Sequence, residues 1–204
     1  MHSSGGEAAG RPPVNVVGER VALGPLSRTL LPRYQAWMND VATQGWAGYP
    51  ARPEPWTDER MAQWYDRAAT DRERMWLTIY ETGAWRAIGF CVLRDIDPRH
   101  RTAEFGMTIG DRADRGKGYG TEAVTLLLDL AFTGLGLNNV QLQVYEFNHA
   151  GLRAYRRAGF KEIGRRRRCY FMGGRFWDVV YMDCLAEEFS SPVLGRVLAP
   201  DEAR

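Results

Sequence analysis

The segment Arg115-Gly116-Lys117-Gly118-Tyr119-Gly120-Thr121-Glu122-Ala123 places three glycines and two cations between an expected strand and an expected helix. Glycines let backbone amides come close to a ligand, and a helix start adds unpaired N–H groups and a positive dipole end. Phosphate oxygens are the chemistry such a loop suits. Glycine content alone leaves a second reading open, a loop that merely turns the chain. Two phosphate-loop patterns fail on spacing. A Walker A loop needs four residues between its first glycine and Gly-Lys, then Ser or Thr; Gly110 lies too far from Gly116-Lys117, and Gly118 follows the lysine. The dinucleotide pattern G-x-G-x-x-G fails as well, because Thr121 stands where its third glycine belongs.

Positioning this loop requires elements on both sides, and the residue pattern supplies them. Val16 to Leu26 alternates as a strand. Ser27 opens a helix over about Arg28 to Met38, and Asn39 to Trp56 reads as irregular. Thr57 with Asp58 and Glu59 opens a second helix to about Ala69. Strands follow at Met75 to Glu81, Trp85 to Asp95 and Arg101 to Ile109, as an antiparallel meander. After the loop come a helix over about Gly120 to Thr133, a strand Val140 to Tyr145 and a helix Asn148 to Ala158. Phe160 to Met172 and Phe176 to Leu185 form a hairpin across Gly173-Gly174. This order specifies an α+β domain with a mixed central sheet flanked by helices. Residues 1–15 read as a flexible leader, 16–189 as one domain and 190–204 as a tail.

Composition narrows the classes. The 204 residues are 45% hydrophobic and 25% charged, and 27 basic side chains against 25 acidic ones give a net charge of +2. Membrane and disordered classes are excluded on those values, and the near balance of charge argues against a dedicated nucleic-acid binder. Cys91, Cys169 and Cys184 form no C-x-x-C, and the three histidines are scattered, so no metal is expected. Residues 1–10 lack a charged start and an apolar run, so a cytoplasmic protein is expected.

The loop does match Q/R-x-x-G-x-G/A, here Arg115-x-x-Gly118-x-Gly120, and so resembles the acetyl-CoA loop of the GNAT superfamily of N-acetyltransferases. Gly106-Met107-Thr108-Ile109-Gly110-Asp111 and Asn148-x-x-Gly151-x-x-x-Tyr155-x-x-x-Gly159-Phe160 resemble its RimJ/RimL branch, which acetylates ribosomal proteins. Asp114 and Arg115 stand where that branch commonly has two aromatics. The resemblance implies that Arg115 is among the acetyl-CoA contacts and that the amides of Gly116, Lys117, Gly118, Tyr119, Gly120 and Thr121 cradle the pyrophosphate. It also implies splayed parallel strands, with the pantetheine arm on the edge at Met107, Thr108 and Ile109 and a contact from Asn148. Tyr155 is implied as the acid that protonates the departing thiolate.

Acetyl transfer to an amine needs a base, since an alkyl amine is neutral in only about one part in a thousand at pH 7. Glu104, sharing a strand face with Gly106 and Thr108, is the candidate; a structural carboxylate is the alternative. Tyr155 has a core alternative, and Asn148 is also a natural helix N-cap. A backbone N–H near Thr108 or Ile109 would hold the oxyanion. Trp46, Tyr49 and Trp56 are candidate acceptor-site residues. No acidic cluster occurs in the first sixty residues, which makes a polyamine acceptor less attractive. The expected function is acetyl-CoA-dependent N-acetyl transfer to a primary amine, a protein N-terminus or a small molecule. The partners expected are acetyl-CoA and that amine, with no membrane; a homodimer is compatible with the chain. An acyl-CoA-binding protein without turnover, or an RNA-interacting protein using Arg165 to Arg168, are the alternatives.

Overall fold

The computed structural model describes residues 11–47 and 55–200. An eight-stranded sheet runs in the order β1-β2-β3-β4-β5-β6-β8-β7. β1 (Val16–Val17) and β2 (Val21–Pro25) divide the expected first strand into a hairpin. β3 (Met75–Glu81), β4 (Arg86–Asp97) and β5 (Thr102–Ile109) form the antiparallel meander. Acidic side chains fix its turns. Glu81 accepts from the N–H of Gly83 at 2.7 Å, and Asp97 accepts from those of Arg99 and His100 at 2.8 and 2.9 Å. β6 (Asn139–Tyr145) then lies parallel to β5, reached through the crossover helix α4 (Tyr119–Asp129). β7 (Lys161–Met172) and β8 (Arg175–Leu185) close the sheet, with β8 inserted beside β6 and β7 at the edge.

The two sheet faces carry separate cores. Ile79, Leu93, Phe105 and Leu142 pack against Leu126 and Leu127 of α4 and against Leu152 and Tyr155 of α5 (His149–Arg157). On the other face Tyr80 and Phe90 meet Tyr34 and Trp37 of α1 (Leu31–Asn39) and Met61 of α3 (Asp58–Thr70). Thr57 caps α3 as expected, accepting from the Arg60 N–H. The matching core, sheet and helix order agree with a single α+β domain.

Four further local readings differ. Ser27 does not cap a helix: its hydroxyl pairs with that of Thr29, a 3₁₀ turn covers Arg28–Leu30, and α1 starts beside Pro32. The stretch read as irregular contains α2 (Val41–Ala47), whose first amides, those of Ala42 and Thr43, donate to Asp40 at 3.3 and 3.0 Å. Trp46 therefore lies on a helix. The long central helix ends at Asp129 and gives way to a π-turn over Leu130–Gly134, in which the Leu135 N–H donates to Leu130 O at 2.8 Å. Finally, residues 191–198, read as part of a tail, are docked. They carry a short helix α6 (Leu194–Val197), and Leu194 is buried in the main core.

Candidate active site

β5 and β6 pair from Thr102/Asn139 to Phe105/Leu142 and then separate. β5 continues through Gly106, Met107, Thr108 and Ile109, which remain bonded to β4 on one side only. Their other edge presents peptide N–H and C=O groups that an amide-bearing ligand can satisfy. This is the divergence of parallel strands expected from the resemblance. Met107 and Ile109 turn toward α4, whereas Thr108 is buried on the opposite face, opposite Phe90.

The glycine-rich loop starts at Arg115, six residues beyond the end of this edge. Gly116 and Gly118 have φ of +78° and +85°, conformations that only glycine adopts without strain, and Gly118 forms the N-cap of α4. The first α4 amide bonded to a backbone carbonyl is that of Glu122, to Gly118 O at 3.1 Å. Among the described residues, the amides of Gly116, Lys117, Gly118, Tyr119, Gly120 and Thr121 donate to no protein acceptor. Six donors gathered at a positive helix end suit a diphosphate. No side chain fills the space over Gly116, where an added Cβ would meet nothing within 4 Å. Gly120 sits against Met107 of the open strand, so the loop and the edge are neighbours.

Charge pairs hold the loop where the resemblance leads one to expect aromatics. Asp114 is buried and accepts two hydrogen bonds from Arg86 of β4, both 2.7 Å. The Arg86 bonds hold the Asp114 carboxyl below the usual carboxylate range, against the opposing effect of burial. Lys117 Nζ stands 3.8 Å from the same carboxylate. Arg115, expected among the cofactor contacts, turns its guanidinium away from the loop. Its Nη2 donates to Thr43 Oγ1 at 2.8 Å, Gly110 O at 3.0 Å and Ile109 O at 3.2 Å. Arg20 braces the far side, donating from its backbone N–H to Glu122 Oε1 and from Nη1 to Lys117 O.

Glu104 and Tyr155 flank the point where the strands part, from opposite faces. Glu104 is on the last rungs of the paired stretch, buried, with Oε1 accepting from Arg94 Nη2 and from Gln143 Nε2. Tyr155, 8% exposed, lies across the sheet with its ring edge-on to Phe105 at 5.8 Å between centroids. Asn148 is the N-cap of α5, its Oδ1 accepting from the Gly151 N–H at 2.9 Å. Trp56 packs against the α1–α3 core with Arg60 over its ring at 4.3 Å, so core packing engages it. Tyr49 lies outside the described residues. Arg165 to Arg168 are exposed on edge strand β7, where Arg165 pairs with Glu162. Sequence reasoning passed over Thr43, Arg86 and Arg94. Asp40 followed by Thr43 was a readable helix-start signal, whereas the two arginines needed the strand register.

Comparison with known proteins agrees with this geometry. Residues 20–161 match the acetyltransferase (GNAT) domain family. A spermidine N(1)-acetyltransferase of Vibrio cholerae is 32% identical over 111 residues, covering 54% of this chain and 64% of that protein. A putative ribosomal N-acetyltransferase of Bacillus subtilis is 33% identical over 101 residues, covering 50% of this chain and 55% of the relative. The chain thus matches less than two thirds of the length of these curated relatives. The crystal structure of the Vibrio cholerae spermidine N-acetyltransferase with CoA and spermine superposes with a TM-score of 0.73 at 25% identity, covering 83% of this chain and 97% of that one. With the family domain spanning more than half of its length, and with its open strand edge and glycine loop in place, the chain belongs to the GNAT acetyltransferase family.

Proposed function

We propose that the protein transfers an acetyl group from acetyl-CoA to a primary amine within a ternary complex. The observation that carries this is the unpaired edge Gly106–Ile109 leading into six unengaged amides at the α4 N-terminus. The edge suits the amides of a pantetheine arm, and the loop suits the pyrophosphate. Bound there, acetyl-CoA supplies an activated thioester. The chain's own residues do the rest. Glu104 takes the amine proton, directly or through a water, which offsets a cost of roughly 4 kcal/mol for neutralising an alkyl amine at pH 7. An N–H of the open edge near Thr108 or Ile109 stabilises the oxyanion, and Tyr155 gives a proton to the thiolate from the other face. Asn148 contacts the pantetheine arm while capping α5.

For the acceptor, spermidine is the first amine to test, because the similar enzymes are named for it. The Arg94–Glu104 pair partly cancels the negative charge that would draw a polycation to the strand gap. That observation keeps a second reading, a singly charged amine such as a protein N-terminus, in which the ribosomal-type relative is of a kind. The aromatic residues Trp46, Tyr49 and Trp56 belong to the segment proposed to wall the acceptor.

Gly118→Glu tests the loop, because a negative side chain at a positive-φ position both strains the N-cap and repels the pyrophosphate. Acetyl-CoA should raise the unfolding temperature of the wild type by mass action and leave that of the variant unchanged. Equal rises in both proteins would remove the loop as the cofactor site. Release of free CoA with a panel of peptides and polyamines would identify the acceptor.

A further inference from the structure

We infer that a cleft at the paired end of β5 and β6 is a binding site for a small molecule that joins one anionic group, a carboxylate or a phosphate ester, to a compact apolar body. The cleft has a volume of about 550 Å³, within the range of small-molecule sites. It opens where four segments meet: the α3–β3 link, the bulged end of β4, the residue before β5, and the chain leaving the π-turn. By the rise of β5 it lies roughly 25 Å from Ile109, where the open edge ends. It is therefore separate from the proposed acetyl-CoA site.

The lining joins apolar side chains to uncommitted cations. Met75 and Ile96 pack against the main core, and Leu137 is buried in it. Leu135 lines the same cleft yet is 50% exposed, so a ligand with an apolar body would release its surface from water. Arg72, Arg74 and Arg101 also line the cleft, against a single lining carboxylate, that of Asp71. Asp71 Oδ1 already accepts from the Glu73 N–H at 2.9 Å, and Arg74 Nε stands 3.9 Å from Oδ2, beyond hydrogen-bond reach. Asp97, in the adjoining turn, is committed to the amides of Arg99 and His100. Among the described residues Arg72 has no hydrogen-bond or ion-pair partner.

Arg101 is held in readiness. It has φ of +57°, a conformation uncommon outside glycine, and its carbonyl accepts from the N–H groups of Asn138 and Asn139 at 2.6 and 3.2 Å. Its Nε donates to Gly136 O at 2.6 Å, which leaves both terminal nitrogens unengaged among the described residues. A guanidinium fixed at its root and its Nε offers paired N–H donors that match a carboxylate or phosphate at little further ordering cost. The Ile96 N–H donates to Glu73 O at 3.2 Å and ties the β4 wall to the α3–β3 link, so the cleft is preformed. A bare anion would leave Leu135 and Met75 in water, and an amine would leave the guanidinium groups unanswered. Only the combination satisfies both halves of the lining.

Titration of the isotopically labelled full chain with octanoate, phenylbutyrate and phenyl phosphate, followed through its amide resonances, tests the site. At least one of these probes should give saturable shifts at residues 72–75, 96, 101 and 135–137 by millimolar concentration, with residues 116–121 unmoved. Inorganic phosphate and octylamine each lack one half of the match and should bind at least about tenfold more weakly. Arg72 is exposed and has no partner to lose, so Arg72→Glu should weaken the probe by about tenfold or more with the unfolding temperature unchanged. Leu135→Asp should weaken it from the apolar side, and saturating CoA should leave the probe in place. The site is overturned by the absence of saturable shifts with all three probes, by equal binding of inorganic phosphate or octylamine, or by unchanged affinity in both variants. Shifts confined to residues 116–121 would place the probes on the glycine loop instead and overturn it equally.

Discussion

At Tyr155 the ring and the hydroxyl serve separable purposes, and the separation can be measured. The ring packs edge-on against Phe105 and against Phe160 on the buried face, so most of the residue's contribution to stability is apolar area. Tyr155→Phe preserves that area. It should change stability by no more than about 1 kcal/mol, the net value of one hydrogen bond. If the hydroxyl protonates the thiolate, turnover should fall by roughly 10²-fold or more with acetyl-CoA affinity near wild type. The loss should shrink with an acyl donor whose thiol is more acidic, because a better leaving group needs the proton less. Unchanged turnover, with chemistry shown to be rate-limiting, would return Tyr155 to the core. Glu104 has no such clean division. Its carboxylate is held by Arg94, its neighbour across the β4–β5 rung, so any substitution there alters an ion pair as well as a base.

The glycine loop is an element anchored to β4 by one bidentate pair. Arg86 on β4 holds Asp114, whose side chain is 3% exposed while that of Arg86 is 39% exposed. Removing one partner of a fully buried pair costs about 3–5 kcal/mol; solvent around Arg86 reduces the expectation for Arg86→Met to about 2 kcal/mol. The sign of the pH dependence follows from the depressed Asp114 carboxyl. The stability this carboxylate contributes is fully present above the ordinary carboxylate pKa of about 4, and is lost as pH falls through its lower folded value. In Arg86→Met the carboxyl is buried without its partner and protonates at higher pH, so the stability gap to wild type should be narrower at pH 5 than at pH 7. Urea unfolding at the two pH values measures this, and an equal gap at both would show that Asp114 does not anchor the loop. The same element marks the limit of what the residue pattern discloses. Alternation and capping residues were enough to order β3 to β5, α4, β6 and α5, because each follows local rules. The Arg86–Asp114 and Arg94–Glu104 pairs join residues 28 and 10 apart, and depend on strand register and loop path. α2 escaped for a related reason: Val41-Ala-Thr-Gln-Gly-Trp-Ala has a mid-helix glycine and is held by Thr43 and Gln44 reaching other elements.

Across the whole molecule, residues 191–194 are bound to the centre of the fold through one buried carboxylate. Asp129, the last residue of α4, is fully buried. Its Oδ2 accepts from the N–H groups of Val193 and Leu194 at 3.0 and 2.9 Å. Its Oδ1 accepts from the hydroxyls of Ser191 and Thr133. Burial alone would raise this carboxyl, yet the four bonds together hold it below the usual range. The π-turn that follows belongs to the same arrangement. It places Gly134 under Leu194, while Phe132 meets Phe189 at 5.4 Å. Residues 191–194, within the segment read from sequence as a tail, therefore form a clasp over the end of the crossover helix. Asp129→Asn can keep its oxygen on the two backbone N–H groups, but it removes the charge that strengthens all four bonds and sets its amide against the Ser191 and Thr133 hydroxyls, which must then turn to accept. It should cost about 2–3 kcal/mol and lower the unfolding temperature by roughly 4–10 °C. Deleting residues 190–204 should cost a comparable amount, since it removes three of the four donors and the Leu194 side chain. The two changes act on one contact, so combining them should cost far less than their sum. In the truncated chain the aspartate has lost its reason to be charged, and asparagine there should be close to neutral. Additive losses in that double-mutant cycle would mean that Asp129 stabilises α4 by itself and that the clasp depends on Leu194 and Phe189 alone.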